Sequence, residues 1–134
     1  MRLVALSNLT QEHIERARRI VPIVSVHNRY SFADREWDYV VDYCERNEIA
    51  FIPWFLLGAG KVAGEVLNRI AQAHGASPTQ VALAWLLRRS PIMLPIPGTS
   101  STEHLEENVA AASLRLTDKD YQMLSRVPAL EASR

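Results

Sequence analysis

Four short apolar runs, each fenced by turn residues and separated by helical periodicity, limit what this chain can fold into. The runs are Leu3-Val4-Ala5-Leu6, Ile23-Val24-Ser25-Val26-His27, Ile49-Ala50-Phe51-Ile52-Pro53-Trp54 and Ile92 to Ile96. Their length and β-branched content read as strands. Between and after them lie helical segments. Thr10 caps one with Ile14, Ala17 and Ile20 on its apolar side, and Asp34 is expected to cap one bearing Trp37, Val40, Val41 and Cys44. Another buries Val66, Leu67, Ile70 and Ala71 and closes at His74-Gly75. Ser77-Pro78-Thr79-Gln80 combines an N-cap Ser, Pro at the first helical position and Gln at capping-box distance, and opens a helix burying Val81, Ala82, Trp85 and Leu86. A helix presenting Leu105, Val109 and Ala112 follows, then a short one from Thr117-Asp118-Lys119-Asp120. Strands alternating with helices imply βαβ units in a parallel sheet with right-handed crossovers. Two closures satisfy that order, an open doubly wound sheet and part of a (β/α)8 barrel. Short strands and compact links favour the barrel. The Gly-x-Gly-x-x-Gly turn of dinucleotide-binding doubly wound sheets is absent, because Gly58 and Gly60 lack a third glycine at the right distance.

Composition narrows the function. With 134 residues the chain is one domain, and 48% hydrophobic residues support a packed core. Fifteen basic and 15 acidic residues give a formal net charge of +0, so no basic field attracts nucleic acid or a lipid surface. One cysteine, Cys44, excludes an intrachain disulfide and CxxC spacings, and it reads as a buried structural thiol. No His/Cys/Asp/Glu set has metal-ligand spacing. No signal peptide or membrane-spanning run is read from the sequence, and a cytoplasmic setting is expected.

The stretch Leu94-Pro95-Ile96-Pro97-Gly98-Thr99-Ser100-Ser101-Thr102-Glu103-His104-Leu105-Glu106-Glu107-Asn108 carries the chemistry. It reads as a strand end, a tight glycine turn and a helix start. Gly98 permits close backbone approach. Thr99, Ser100 and Ser101 offer hydroxyls beside a helix N-terminus, and Ser100 with Glu103 has capping-box spacing. Such a terminus attracts phosphate. Its ordinary alternative is a plain capped strand-to-helix turn.

The wording Pro-Ile-Pro-Gly-Thr-Ser, then His104-Leu105 and Glu107-Asn108, resembles the cofactor phosphate- and adenine-binding segment of aldo-keto reductases. Three further segments resemble that family in its order: Leu6-Ser7-Asn8, Val24 to Tyr30, and Phe51-Ile52-Pro53-Trp54-Phe55-Leu56-Leu57-Gly58, the last closest to its pyridoxal-reductase-like bacterial branch. The resemblance runs from about Leu3 to Val127. It implies the C-terminal half of a (β/α)8 barrel, four parallel strands with flanking helices over residues 1–127, and a frayed tail over 128–134. It implies a dinucleotide partner, with NADP(H) favoured over NAD(H). Ser7, Asn8 and His27 would meet the nicotinamide carboxamide, Trp54 would stack on its ring, and the backbone at Phe55, Leu57 and Gly58 would cradle the pyrophosphate. Gly98, Thr99, Ser100, His104, Glu107 and Asn108 would hold the adenosine end.

Departures from the pattern are informative. His27 stands where the family commonly has Gln, and His104 where many members place an Arg for the 2′-phosphate. Phe55-Leu56 replaces a common Ser-Pro. The family's catalytic Asp, Tyr, Lys and His belong to segments with no counterpart here, so no catalytic residue is assigned, and Tyr30, Lys61 and His27 are not placed in those roles. The chain is therefore expected to be the cofactor-binding half of an NAD(P)H-dependent carbonyl/alcohol oxidoreductase, inactive alone. The alternatives are a non-catalytic half-barrel that binds nucleotide or pairs with a second copy or a complementary N-terminal half, and a truncated sequence with no role of its own.

Overall fold

The structure is a computed structural model that describes residues 3–54 and 61–128, with the side chains of residues 61–63 outside the description. Its centre is a parallel sheet of three strands, β1 (Val4–Ser7), β2 (Ile23–Arg29) and β3 (Ala50–Trp54), in that order. Ser7 lies opposite His27 and His27 opposite Ile52, and Arg29 lies opposite Trp54. Side chains alternate across such a sheet. One face carries Val26 and Phe51, both fully buried beneath the helices. The other face carries Ala5, Ser7, His27, Ile52 and Trp54, which are half-buried or exposed.

The expected fourth strand is not a strand. Ile92 to Ile96 contributes one parallel bridge, Met93 to Phe51, held by Phe51 N to the Ile92 carbonyl and Leu94 N to the Phe51 carbonyl, both 2.9 Å. Pro91, Pro95 and Pro97 remove the N–H groups that a longer ladder needs. Leu94 and Ile96 remain exposed beyond the bridge. The four-strand expectation is corrected to three strands plus a bridging segment.

The helices are α1 (Gln11–Arg18), α2 (Asp38–Arg46), α3 (Lys61–His74), α4 (Pro78–Arg89), α5 (Thr102–Ala110) and α6 (Asp118–Ser125), with a 3-10 turn over Ala111–Ser113. Local signals placed several ends. Thr10, Ser77 and Thr117 each accept a backbone N–H three residues on, and Ser77 and Gln80 complete a reciprocal capping box. Gly75 takes φ +59° after α3, a conformation glycine adopts without penalty. Other ends moved. Asp34 does not cap α2: its carboxylate pairs with Arg29 at 2.7 Å and its backbone bridges Ser31, so α2 starts at Asp38 behind Trp37. Ser101, not Ser100, caps α5 by accepting from His104 N. Ile20 lies past the end of α1 and is exposed.

Helix α4 is the hub of the core. Val81 through Leu86 are all buried, so it is covered on every side rather than along one stripe. Trp85 stacks on Tyr121 at 5.8 Å between centroids, meets Tyr30 and Phe32 edgewise or tilted, and donates its indole N–H to Ser125 Oγ at 2.9 Å. At the end of α4, Arg88 and Arg89 do more than complement the dipole. Arg88 donates to the Leu116 carbonyl and pairs with Asp118, and Arg89 binds Asp38 and Asp42. The buried Tyr30 hydroxyl donates to the same Asp38 carboxylate. His74, near the end of α3, joins that helix to α6 through Asp120 at 2.8 Å. The Thr117 hydroxyl and His74 hold the Asp120 carboxyl below the usual carboxylate range. The reading of α5 is also revised. It has no buried residue, and Leu105 and Val109 face water; its link to α4 is the Glu107 carbonyl, which accepts from Gln80 Nε2.

Cys44 is fully buried on α2. Burial pushes its thiol up to about 12, against a weaker opposing pull from Arg18. A native thiol with that value stays protonated where an unfolded one ionises, so this group's contribution to stability falls as pH rises from about 9 toward 12. At pH 8, Cys44 is expected to resist iodoacetamide in the native protein and to react in urea, read by mass shift. Stoichiometric native labelling would contradict the packing described.

No helix among the described residues is long and apolar enough to cross a membrane, and among them no group of three metal-ligating side chains forms. Beyond Pro128, the expected frayed tail lies outside the described residues.

Candidate functional site

The carboxyl ends of β1, β2 and β3 bring four of the singled-out residues together. Ser7 ends β1, and its Oγ donates to the His27 carbonyl at 3.1 Å. The backbone N–H of Asn8 donates to that same carbonyl at 2.9 Å. Asn8 then takes φ +54°, a left-handed conformation that Asn tolerates better than most residues. Trp54, at the end of β3, donates its indole N–H to Asn8 Oδ1 at 3.1 Å across 46 residues of sequence. His27 is half-buried on the open face, with Nε2 3.4 Å from Ser25 Oγ. The strands run parallel, with β2 and β3 ending level at Arg29 and Trp54 and β1 ending two residues earlier opposite His27, so these positions converge at one end of the sheet.

Asn28 was not singled out from the sequence, and it anchors this corner. Its side chain is fully buried; Nδ2 donates to the Leu9 carbonyl at 3.0 Å and Oδ1 accepts from Leu9 N at 3.3 Å. An amide satisfying both backbone groups of one residue fixes the chain just after Asn8. The signal available in the sequence was an Asn directly after the Ile23-Val24-Ser25-Val26-His27 run.

The second group begins where the chain leaves its bridge to β3. From Met93, the segment starts parallel to β3 and then reaches Gly98, Thr99 and Ser100, all exposed. No atom would lie within 4 Å of a Cβ placed on Gly98, so the space there is open. Thr99 Oγ1 accepts from Ser101 N at 3.1 Å and donates to the Ser101 carbonyl at 3.4 Å, tightening the turn before α5. The first turn of α5 leaves backbone N–H groups outside the helical ladder, and Ser101 takes the one from His104. The His104 side chain is exposed on that turn, while Glu107 and Asn108 are half-buried one turn further along. Phe55, Leu57 and Gly58 lie outside the described residues.

Tyr30 is unsuited to proton transfer at this site. It is fully buried, and burial together with its bond to Asp38 raises its hydroxyl far above the ordinary tyrosine value. The arrangement supplies hydrogen-bonding groups, one aromatic ring and an open helix start. That is a set able to hold a ligand.

The family model described as "Aldo/keto reductase family" matches residues 1–128. Pyridoxine 4-dehydrogenase of Escherichia coli is 45% identical over 125 residues, covering 92% of this chain and 44% of that protein. The chain thus spans about two fifths of the length of the curated relatives it matches. Among solved structures, a thermostable aldo-keto reductase in complex with the inhibitor epalrestat superposes with a TM-score of 0.86 at 28% identity, over 94% of this chain and 48% of that one. A variant of Gox0644 in complex with NADPH superposes with a TM-score of 0.79 at 26% identity, over 91% and 45%.

Proposed function

The chain belongs to the aldo/keto reductase family, and we propose that it is the cofactor-binding, C-terminal half of an NADPH-dependent carbonyl/alcohol oxidoreductase, a half-barrel over residues 1–127. The observation that carries this reading is the meeting of Ser7, Asn8, His27 and Trp54 at one end of the parallel sheet. Ligands of strand–helix barrels gather at that end. The NADPH-bound relative supports the choice of dinucleotide.

The side chains present fit such a group. Ser7 and Asn8 offer small polar contacts of the size of a ring amide, and the partly exposed indole of Trp54 offers a face for stacking. The exposed Thr99–His104 turn offers hydroxyls and a helix start to phosphate. When bound, the cofactor would supply the hydride. This chain's residues would hold and orient it. Phe55, Leu57 and Gly58 belong to the proposed pyrophosphate contact, and Gly98, Thr99, Ser100, His104, Glu107 and Asn108 to the adenosine end. Nothing among the described side chains is placed as the proton donor.

The open sheet face with Ile52, and the exposed Leu94 and Ile96 beyond the bridge, favour a second element of the reading: a complementary barrel half, or a second copy, covers this side in the working enzyme. The expected result is saturable NADPH binding by fluorescence, weaker NADH binding, and no measurable reduction of a generic aldehyde by the chain alone. Robust turnover by the purified chain would overturn the claim that it lacks proton-transfer machinery.

A further inference from the structure

The hydrogen bonds at the tip of β1 fix more than position; they fix polarity. An indole N–H can only donate, so the Asn8 atom 3.1 Å from Trp54 Nε1 is the carbonyl oxygen Oδ1. The amide is thereby held one way round, with its Nδ2 hydrogens turned away from Trp54. Ser7 is oriented by the same logic. Its hydroxyl hydrogen goes to the His27 carbonyl, which can only accept, so Ser7 Oγ presents lone pairs. Two neighbouring residues therefore show an outside ligand one donor and one acceptor, with opposite polarity assigned to each.

We propose that Trp54 is a positioning residue that sets the polarity of Asn8, so that Asn8 donates to the carbonyl oxygen of the cofactor's ring amide while Ser7 accepts from its N–H. This rests on the NADPH reading above. A freely rotating Asn8 could present either end of its amide and would lose the entropy of choosing on binding. The bond to Trp54 makes that choice in advance. The left-handed backbone of Asn8, followed by Leu9 clamped on Asn28, is what turns the side chain toward Trp54. Phe or Tyr at position 54 could stack on a ring but has no N–H at the indole position, so this role is specific to Trp.

A double-mutant cycle tests the role. Trp54→Phe keeps an aromatic face and removes the N–H. It is expected to weaken NADPH binding about fivefold, the equivalent of one hydrogen bond, and to have no further effect once Asn8 is Ala. Equal losses from Trp54→Phe in both backgrounds, or no loss at all, would show that Trp54 acts through its ring or through the fold and would overturn the role. A second readout needs no cofactor. The indole N–H of Trp54, followed by NMR, should exchange slowly with solvent in the wild-type chain and faster in Asn8→Ala; identical exchange in the two would overturn the bond itself. Slow exchange in a wild-type chain that does not bind NADPH would overturn the cofactor reading, and with it the ligand assigned here.

Discussion

Replacing Trp85 by Ala is expected to cost about 3–5 kcal/mol of folding free energy, the range for removing a large buried aromatic. A domain of this size has roughly 5–15 kcal/mol in all, so the variant should sit near the edge of folding. Trp85 is 1% exposed and touches the rings of Tyr30, Phe32 and Tyr121. Those three come from the segment after β2 and from α6, so one side chain ties the sheet's far end to the last helix. Its loss would also strip Ser125 Oγ of its indole partner, although that hydroxyl keeps its bond to the Tyr121 carbonyl. The measurement is urea unfolding followed by circular dichroism. With a slope near about 2 kcal/mol/M, the midpoint should fall by about 2 M. A shift under about 0.5 M would mean that Trp85 is not the hub described.

The second large effect is expected at Asp38. Its carboxylate serves three groups at once: the Tyr30 hydroxyl, which has no exposure to water, Arg89, which is 16% exposed at the side chain, and Arg35 at 4.0 Å. Arg89 keeps Asp42 at 2.7 Å and its bond to the Tyr30 oxygen when Asp38 is lost, but the buried Tyr30 O–H is left without its acceptor. Asp38→Ala is therefore expected to cost about 2–3 kcal/mol, the range for stranding a buried donor together with one arm of a charged pair. Removing both partners is gentler than removing one. Adding Tyr30→Phe to Asp38→Ala should recover part of the loss, and a cycle with purely additive costs would deny the coupling. Asp38→Asn, which keeps an acceptor, should fall between.

The sequence was legible where structure depends on neighbours in the chain. Ser77-Pro78-Thr79-Gln80 announced α4 because the capping bonds that start the helix all lie within four residues. Thr10 and Thr117 were legible for the same reason. Asp34 misled because its partner, Arg29, pulls it into a turn that competes with capping. The capping-box spacing of Ser100 and Glu103 was correct as a pattern, but Thr99 binds both backbone groups of Ser101 and shifts the helix start by one residue. The fourth strand failed on a signal the segment itself carries: a ladder requires N–H donors, and Pro91, Pro95 and Pro97 withhold them. Leu105 and Val109 read as a core face because their spacing is helical, whereas the link to α4 runs through the Glu107 carbonyl and Gln80 on that helix.

At the candidate site the family wording identified Ser7, Asn8, His27 and Trp54 together. Their mutual bonds were invisible, since the Trp54–Asn8 pair spans 46 positions and rests on a left-handed backbone at Asn8. Asn28 and the His74–Asp120 link were missed for a related reason. Each satisfies a partner that only the folded chain supplies.

The two margins of the sheet are not alike. On one side, Pro91 and Pro95 flank a segment that gives β3 a single bridge, and with Pro97 following it has few N–H groups left to offer a stranger. On the other, β1 is the outermost described strand and Val4 to Ser7 contain no proline at all. Accretion of a foreign strand, whether a physiological neighbour or the first step of a fibril, would therefore begin along Val4–Ser7 and be rebuffed at the opposite rim. The chain carries a guard on one flank and an invitation on the other.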